Sequence, residues 1–285
     1  MKRIIALMMA VLMVVAMLAA CGGSTENASK TDATAAEGAT EAAKTDDSGN
    51  TADTVADLDA VKAKGKLVVG ITDFAPMDYK DENGEWIGYD AELAKAFAET
   101  LGVEVEFVEI DWDNKIMELN GGTVDCIWNG MTLTDEVTSA MSCTEPYLSN
   151  SQVVIVKKDD AEKYADAEAC KAIGSFAVES GSAGQEQAEA YGFTFTEVKD
   201  QATALMEVAS GTCDAAIIDL LMAQAMVGEG TGYEQLTYTA SLNDEVYGVG
   251  FRKGSDLTAK CNDFFHTAKT DGTTEALIEK YIVKK

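Results

Sequence analysis

Two strand ends carry the polar residues best placed for chemistry. Met117–Gly130 (M-E-L-N-G-G-T-V-D-C-I-W-N-G) and Met206–Asp219 (M-E-V-A-S-G-T-C-D-A-A-I-I-D) match at Met, Glu, Gly, Thr and Asp in one constant register. Each reads as a helix end, a glycine turn and a buried strand. The first strand runs into Asn129 and the second into Asp219. In open α/β sheets ligands sit beyond the carboxyl ends of strands, so an amide and a carboxylate there are candidate ligand contacts. The repeat also implies two similar α/β lobes facing one another. Nucleophilic and metal chemistry find less support. His266 is the only histidine, and no nucleophile motif flanks it. Cys126, Cys143, Cys170, Cys213 and Cys261 show no metal-ligand spacing, so no metal or cofactor is expected. Five is an odd number, so at least one of them lacks a partner within the chain.

The elements that position these residues follow from periodicity and punctuation. Lys66–Ile71 is a β-branched strand, and Val103–Ile110 alternates like one. Ala91–Leu101 carries an apolar stripe at Leu93, Ala94, Phe97, Ala98 and Leu101, with Asp90 as its expected cap and Gly102 as its stop. Asn114–Leu119 and Gln201–Ala209 read as helices, and Gln152–Val156 and Val246–Arg252 as strands. Cys261–Tyr281 reads as a helix, a turn at Gly272 and a second helix. Alternating strands and helices predict an α/β architecture with mostly parallel sheets.

The N-terminal segment speaks to location. Lys2 and Arg3 precede an apolar run from Ile4 to Leu18 that ends in L-A-A-C at Cys21. The run is shorter than the roughly 20 residues that span a bilayer, and the pattern is that of a secretory signal. The string resembles the bacterial lipobox, which implies a signal peptide over 1–20 and a diacylglyceryl group on the Cys21 thiol. Two acyl chains would hold the protein at the outer face of the cell membrane. Residues 21–56 are rich in Ala, Thr, Ser, Gly, Asp and Glu, without an aromatic residue. Such a segment cannot bury enough apolar surface to order itself, and it reads as a disordered acidic tether. The net charge of −27 argues against nucleic acid and against broad contact with anionic lipid. It favours a soluble monomer.

Gly65–Phe97, with G-I-T-D-F-A-P-M at its centre, resembles the opening of the family 3 solute-binding proteins, the extracytoplasmic receptors of polar amino-acid ABC importers. Asp111–Glu136, E-P-Y-L at Glu145, G-T-C-D-A-A-I-I-D at Gly211, Y-G-V-G-F-R-K-G at Tyr247 and the closing D-G-T-T-E-A-L-I-E-K-Y at Asp271 extend the likeness from about Ala56 to Val283. The resemblance implies a type II periplasmic-binding fold, two α/β lobes joined by a two-strand hinge near Asn150 and Val246. Lobe 1 would comprise 57–149 and 247–285, and lobe 2 would comprise 150–246. It implies a binding receptor rather than an enzyme, with ABC permease subunits as partners and an amino acid or related small amine as ligand.

The matched positions give the expected site. Phe74 and Trp112 would sandwich the ligand, with Trp128 either a contact or core. Asn129, Gly130 and Thr132 would offer backbone and side-chain hydrogen bonds. Ser180, Gly181 and Ser182 form the facing loop, whose free N–H groups would receive a carboxylate. Asp219 would hold the ligand's α-ammonium, the alternative being a cap for the next helix. Asp73 is a further acidic contact, and Glu179 faces either a cationic side chain or solvent. One position departs from the family: the arginine that clamps the ligand carboxylate is Val137 here, in T-L-T-D-E-V. Backbone N–H groups and Lys115 take over its task, or the ligand lacks an α-carboxylate, or tight binding has been lost; the first is the working expectation. Other functions stay open beside the receptor: a ligand sensor or interaction protein, and a cyclohexadienyl-dehydratase-like enzyme on the same fold.

Overall fold

The computed structural model describes residues 55–283. The expected signal segment, Cys21 and nearly all of the expected tether lie outside the described residues. The tether's expected end is an exception. Val55 pairs in parallel with Ser255, and its N–H bonds the Gly254 carbonyl at 2.9 Å, which ties this residue of the expected tether to the folded part.

Helix α1 (Asp57–Lys64) stops at Gly65, whose φ of 71° turns the chain directly into β1 (Lys66–Ile71). β1 spans the residues expected of it, with Leu67, Val69 and Ile71 fully buried. A hairpin of β2 (Tyr79–Lys80) and β3 (Trp86–Ile87) leads to α2 (Tyr89–Leu101). The stripe of α2 is buried at Leu93, Ala94, Phe97 and Ala98, and Gly102 ends it with a φ of 74°. Asp90 is not its cap. The helix starts after Gly88, and Asp90 turns into the protein, where it accepts from the Gly130 N–H at 2.6 Å and the Tyr147 hydroxyl at 2.8 Å. Donors distant in sequence thus outcompete the local N–H groups for this carboxylate.

β4 (Glu104–Glu109) lies parallel to β1. A single turn at Trp112–Asn114 enters α3 (Lys115–Gly121), and β5 (Cys126–Ile127) joins the other side of β1. The Thr134 hydroxyl caps α4 (Asp135–Ala140), and β6 (Ser142–Cys143) follows. β7 (Leu148–Asn150) then carries the chain to the second lobe. There β8 (Gln152–Lys157), α5 (Ala167–Cys170), β9 (Phe176–Glu179), α6 (Ala183–Tyr191), β10 (Phe195–Val198), α7 (Gln201–Ser210), β11 (Ala215–Asp219), α8 (Leu220–Met226) and β12 (Leu236–Ser241) follow in turn. The chain returns through β13 (Glu245–Tyr247), antiparallel to β7, with Glu245 opposite Asn150. β14 (Gly250–Phe251) rejoins the first sheet, and α9 (Leu257–Thr270), a turn at Gly272 and α10 (Thr273–Leu277) follow.

The sheets run β4-β1-β5-β14-β6 and β10-β9-β11-β8-β12. The expectation of mostly parallel sheets holds for one side of each. β14 is antiparallel to both of its neighbours, and β8 to β11 and β12, because these strands arrive from the hinge crossings against the direction of the others. The single strand expected over Val246–Arg252 is two, one in the hinge ladder and one in the first sheet. Gly248 separates them, pressed so closely on Leu133 that a Cβ would stand 2.6 Å from its Cδ2. The five cysteines of the described residues are all free thiols.

Both halves of the internal repeat adopt the expected form. Gly122 and Gly211 close α3 and α7 with φ of 78° and 82°. The carboxyl ends of β1, β5, β9 and β11 all point toward the space between the lobes, and Thr72, Asn129, Glu179 and Asp219 stand at or just beyond them.

Candidate functional site

The cleft between the lobes encloses about 430 Å³ of space not filled by atoms, its open mouth included. The first lobe lines it with Thr72, Phe74, Trp112, Lys115, Asn129, Gly130, Met131, Thr132, Thr134, Glu136 and Val137. The second contributes Glu179, Gly181, Ser182, Ala183, Glu186, Gln201 and Asp219. The lobes are closed on one another. Gly181 approaches Asp113 so nearly that a Cβ on it would lie 2.8 Å from the Asp113 Cα, and the Lys115 Nζ donates to the Gly181 carbonyl across the gap at 2.8 Å.

Asp219 ends β11 and precedes α8, yet its side chain caps nothing. Its carboxylate accepts from Asn150 Nδ2 at 2.6 Å, from Gln201 Nε2 at 2.5 Å and from the Tyr247 hydroxyl. Asn150 and Tyr247 belong to the hinge strands, so this carboxylate is tied to the crossing itself. Burial, with Glu245 nearby, raises its pKa to about 7, while the bonds from Tyr247 and Gln201 pull the other way.

Glu179 is the residue that the sequence left most open, and it does not face solvent. It is 4% exposed at the end of β9 and lines the cleft. Oε2 meets Gln201 Nε2 at 3.5 Å, and Oε1 has no hydrogen-bond partner in the protein. Burial, then the charge of Asp219, pushes its pKa up to about 8. Gln201 therefore bridges two buried carboxylates with one amide, and also accepts the Asp219 N–H at 2.9 Å. Sequence reasoning missed Gln201, Glu136 and Glu186. For Glu179 a signal existed: it is a charged residue closing an apolar strand, as Asp219 is.

Other expected contacts lie in the cleft, but with their polar groups engaged inside the protein. Asn129 Oδ1 accepts from the Thr72 N–H at 2.9 Å and the Thr72 hydroxyl at 2.7 Å, and Nδ2 donates to Asp78 Oδ2 at 2.7 Å. The Thr132 hydroxyl donates to Glu245 Oε1 at 3.0 Å. Gly130, at φ 53°, lies under the Phe74 ring, where a Cβ would be 2.5 Å from Cε1. Phe74 also packs edge-on against Tyr247, with centroids 6.5 Å apart. Trp112 carries the Lys115 ammonium 5.1 Å from its ring centroid. Trp128 is fully buried among Phe97, Phe264 and Phe265, away from the cleft.

The facing loop differs from expectation. Its N–H groups are not free: Ser180 donates to the Val198 carbonyl at 3.0 Å, Gly181 to Gln185 Oε1 at 2.8 Å and Ser182 to the Glu179 carbonyl at 3.3 Å. The Ser182 hydroxyl caps α6 through the Gln185 N–H at 3.2 Å. Ser180 is not part of the cleft lining at all; its hydroxyl donates to Glu197 Oε2 at 3.2 Å on the outer surface. Asp73 is exposed and likewise outside the lining. His266 is exposed on α9, 3.5 Å from Glu145. Val137 is buried on α4 in an apolar cluster with Ile127, Met131 and Met141.

Residues 67–284 match the family of bacterial extracellular solute-binding proteins, family 3. The arginine-binding extracellular protein ArtP of Bacillus subtilis (strain 168) is 29% identical over 224 residues, covering 76% of this chain and 86% of ArtP. The ABC transporter glutamine-binding protein GlnH of the same organism is 30% identical over 289 residues, covering 99% of this chain and 98% of GlnH. Among solved structures, the ancestral amino acid-binding protein AncCDT-1, a precursor of cyclohexadienyl dehydratase, superposes with a TM-score of 0.73 at 32% identity. That likeness covers 80% of this chain and all (100%) of AncCDT-1. With the match spanning both lobes and the hinge, the chain belongs to the bacterial extracellular solute-binding proteins, family 3.

Proposed function

We propose that this chain is a membrane-anchored receptor that captures an amino acid or small amine between its lobes and delivers it to the permease of an ABC importer. The observation that carries the reading is Asp219: a buried carboxylate at a strand end, lining the cleft and bonded to both hinge strands. A ligand ammonium meeting it gains a charge-assisted hydrogen bond, worth about 1.5–3 kcal/mol in a desolvated cleft. Phe74 and Trp112 supply the apolar walls, and closure of the hinge excludes water. The lipid on Cys21 and the tether keep the monomer near the permease.

Titration calorimetry of the purified chain against a panel of amino acids and amines, paired with small-angle scattering, tests this. One ligand per chain should bind with compaction and be recovered unchanged. If no amino acid or amine binds or compacts the chain, the reading fails.

A second reading draws on the likeness to AncCDT-1 and on Glu179, which keeps its proton near neutral pH and is chemically able to act as a general acid. The acidic cleft disfavours anionic cyclohexadienyl acids, and formation of an aromatic product from a prephenate-like substrate would be needed to support it.

A further inference from the structure

We propose that the solute is a carboxylate-free dication: an α,ω-diamine or its amine–guanidine counterpart. This rests on the receptor reading and sharpens it. An amino acid brings a carboxylate that the cleft must receive, and the facing loop, the Gly130 N–H and Lys115, which would receive it, are engaged elsewhere. The N–H groups of Ser180, Gly181 and Ser182 all bond within the second lobe. The Gly130 N–H bonds Asp90 Oδ2 at 2.6 Å. Lys115, the one cationic side chain of the lining, donates to the Gly181 carbonyl and stands against the Trp112 ring. Where the family places its arginine, Val137 is buried among apolar side chains. The first turn of α6 reaches the cleft at Ala183, but Glu186 on that helix and Glu136 on α4 line the same space and would repel an anion.

The need for cations is equally explicit. Asp219, Glu179, Glu136 and Glu186 line the cleft against Lys115 alone. Glu179 is buried with Oε1 unpartnered, and a cationic N–H donor placed beside it would displace its proton and bond the carboxylate. An ammonium or guanidinium has N–H groups enough to serve Glu179 and Asp219 together. Glu136 and Glu186 are exposed at the mouth, so they can hold the second cationic end while it keeps some water. The repulsion among these carboxylates, which helps to raise the pKa of both Glu179 and Glu186, is relieved by such a guest.

The test is calorimetry on matched pairs that differ only by the carboxylate: cadaverine with lysine, putrescine with ornithine, agmatine with arginine. In the pair that fits the cleft, the amine should bind about 100-fold more tightly than its amino acid. Glu179→Gln, a near-isosteric change whose fold is checked by circular dichroism, should weaken that amine by about ten-fold or more. Val137→Arg should move preference toward the amino acid. Equal or tighter binding of the amino acid in every pair overturns the inference and leaves the receptor reading standing. So does an unchanged amine affinity in Glu179→Gln, or a co-purified solute that native mass spectrometry identifies as a neutral amino acid. No binding by any amine or amino acid, with no compaction, overturns both.

Discussion

Glu179→Gln should make the ligand-free protein more stable at alkaline pH, and by an amount that vanishes in acid. In the folded protein Glu179 titrates near 8, against an ordinary value of 4.5, because burial and the neighbouring Asp219 penalise its charge. Between those values the folded state holds a proton that the unfolded chain has released. Stability from this group is therefore fully present below about pH 4.5 and is lost as pH rises toward 8. Each pH unit of that window corresponds to about 1.4 kcal/mol, so the total is on the order of 3–5 kcal/mol. Glutamine keeps the shape, the carbonyl acceptor for Gln201 and a donor, but cannot ionise. Urea unfolding of both proteins at intervals from acid to mildly alkaline pH would give the difference directly. The variant should gain steadily above pH 4.5 and level off beyond 8. A difference that is flat with pH, or a variant that loses stability as pH rises, would refute the assignment of Glu179 as a buried acid without a cationic partner. A carboxylate that destabilises the free protein, and whose removal weakens binding, is one retained for its ligand.

Three further outcomes follow from particular contacts. Asp219→Asn should weaken a cationic ligand by about ten-fold or more in calorimetry, and unchanged affinity would remove Asp219 from the site. Gly181→Ala places a Cβ 2.8 Å from the Asp113 Cα at a positive φ of 69°, so it should hinder closure. Scattering should then show less compaction on ligand addition, and the affinity should fall. Arg252 donates to Asp57 at 2.8 Å, approaches Asp125 at 3.5 Å and reaches the Val124 carbonyl at 2.9 Å, tying α1 to the first sheet. Arg252→Gln strands the buried Asp57 carboxylate, while Asp125 keeps Lys64 at 2.6 Å and the Val68 N–H at 2.7 Å, and it should cost about 3 kcal/mol in urea unfolding, with little change in ligand affinity.

What the chain shows before folding is local, and it is legible because local rules suffice. The apolar stripe of α2, the stop at Gly102, the full extent of β1 and the paired glycine turns at Gly122 and Gly211 all follow from backbone and side-chain preferences within a turn or two. The repeat pointed to two lobes and to Asn129 and Asp219 at strand ends. The tertiary structure decided which polar groups remain for a ligand. Asp90 reads as a helix cap from its neighbours, but folding brings it the Gly130 N–H and the Tyr147 hydroxyl. The Ser180–Ser182 loop reads as a row of free N–H groups, but Val198, Gln185 and the loop's own turn engage them. Gln201 joins Glu179 to Asp219 only because α7 starts beside the ends of β9 and β11. Hydrogen bonds and charge repulsion fall off over a few ångströms, so the chemistry of the cleft belongs to residues that are distant in sequence and meet only in the folded chain.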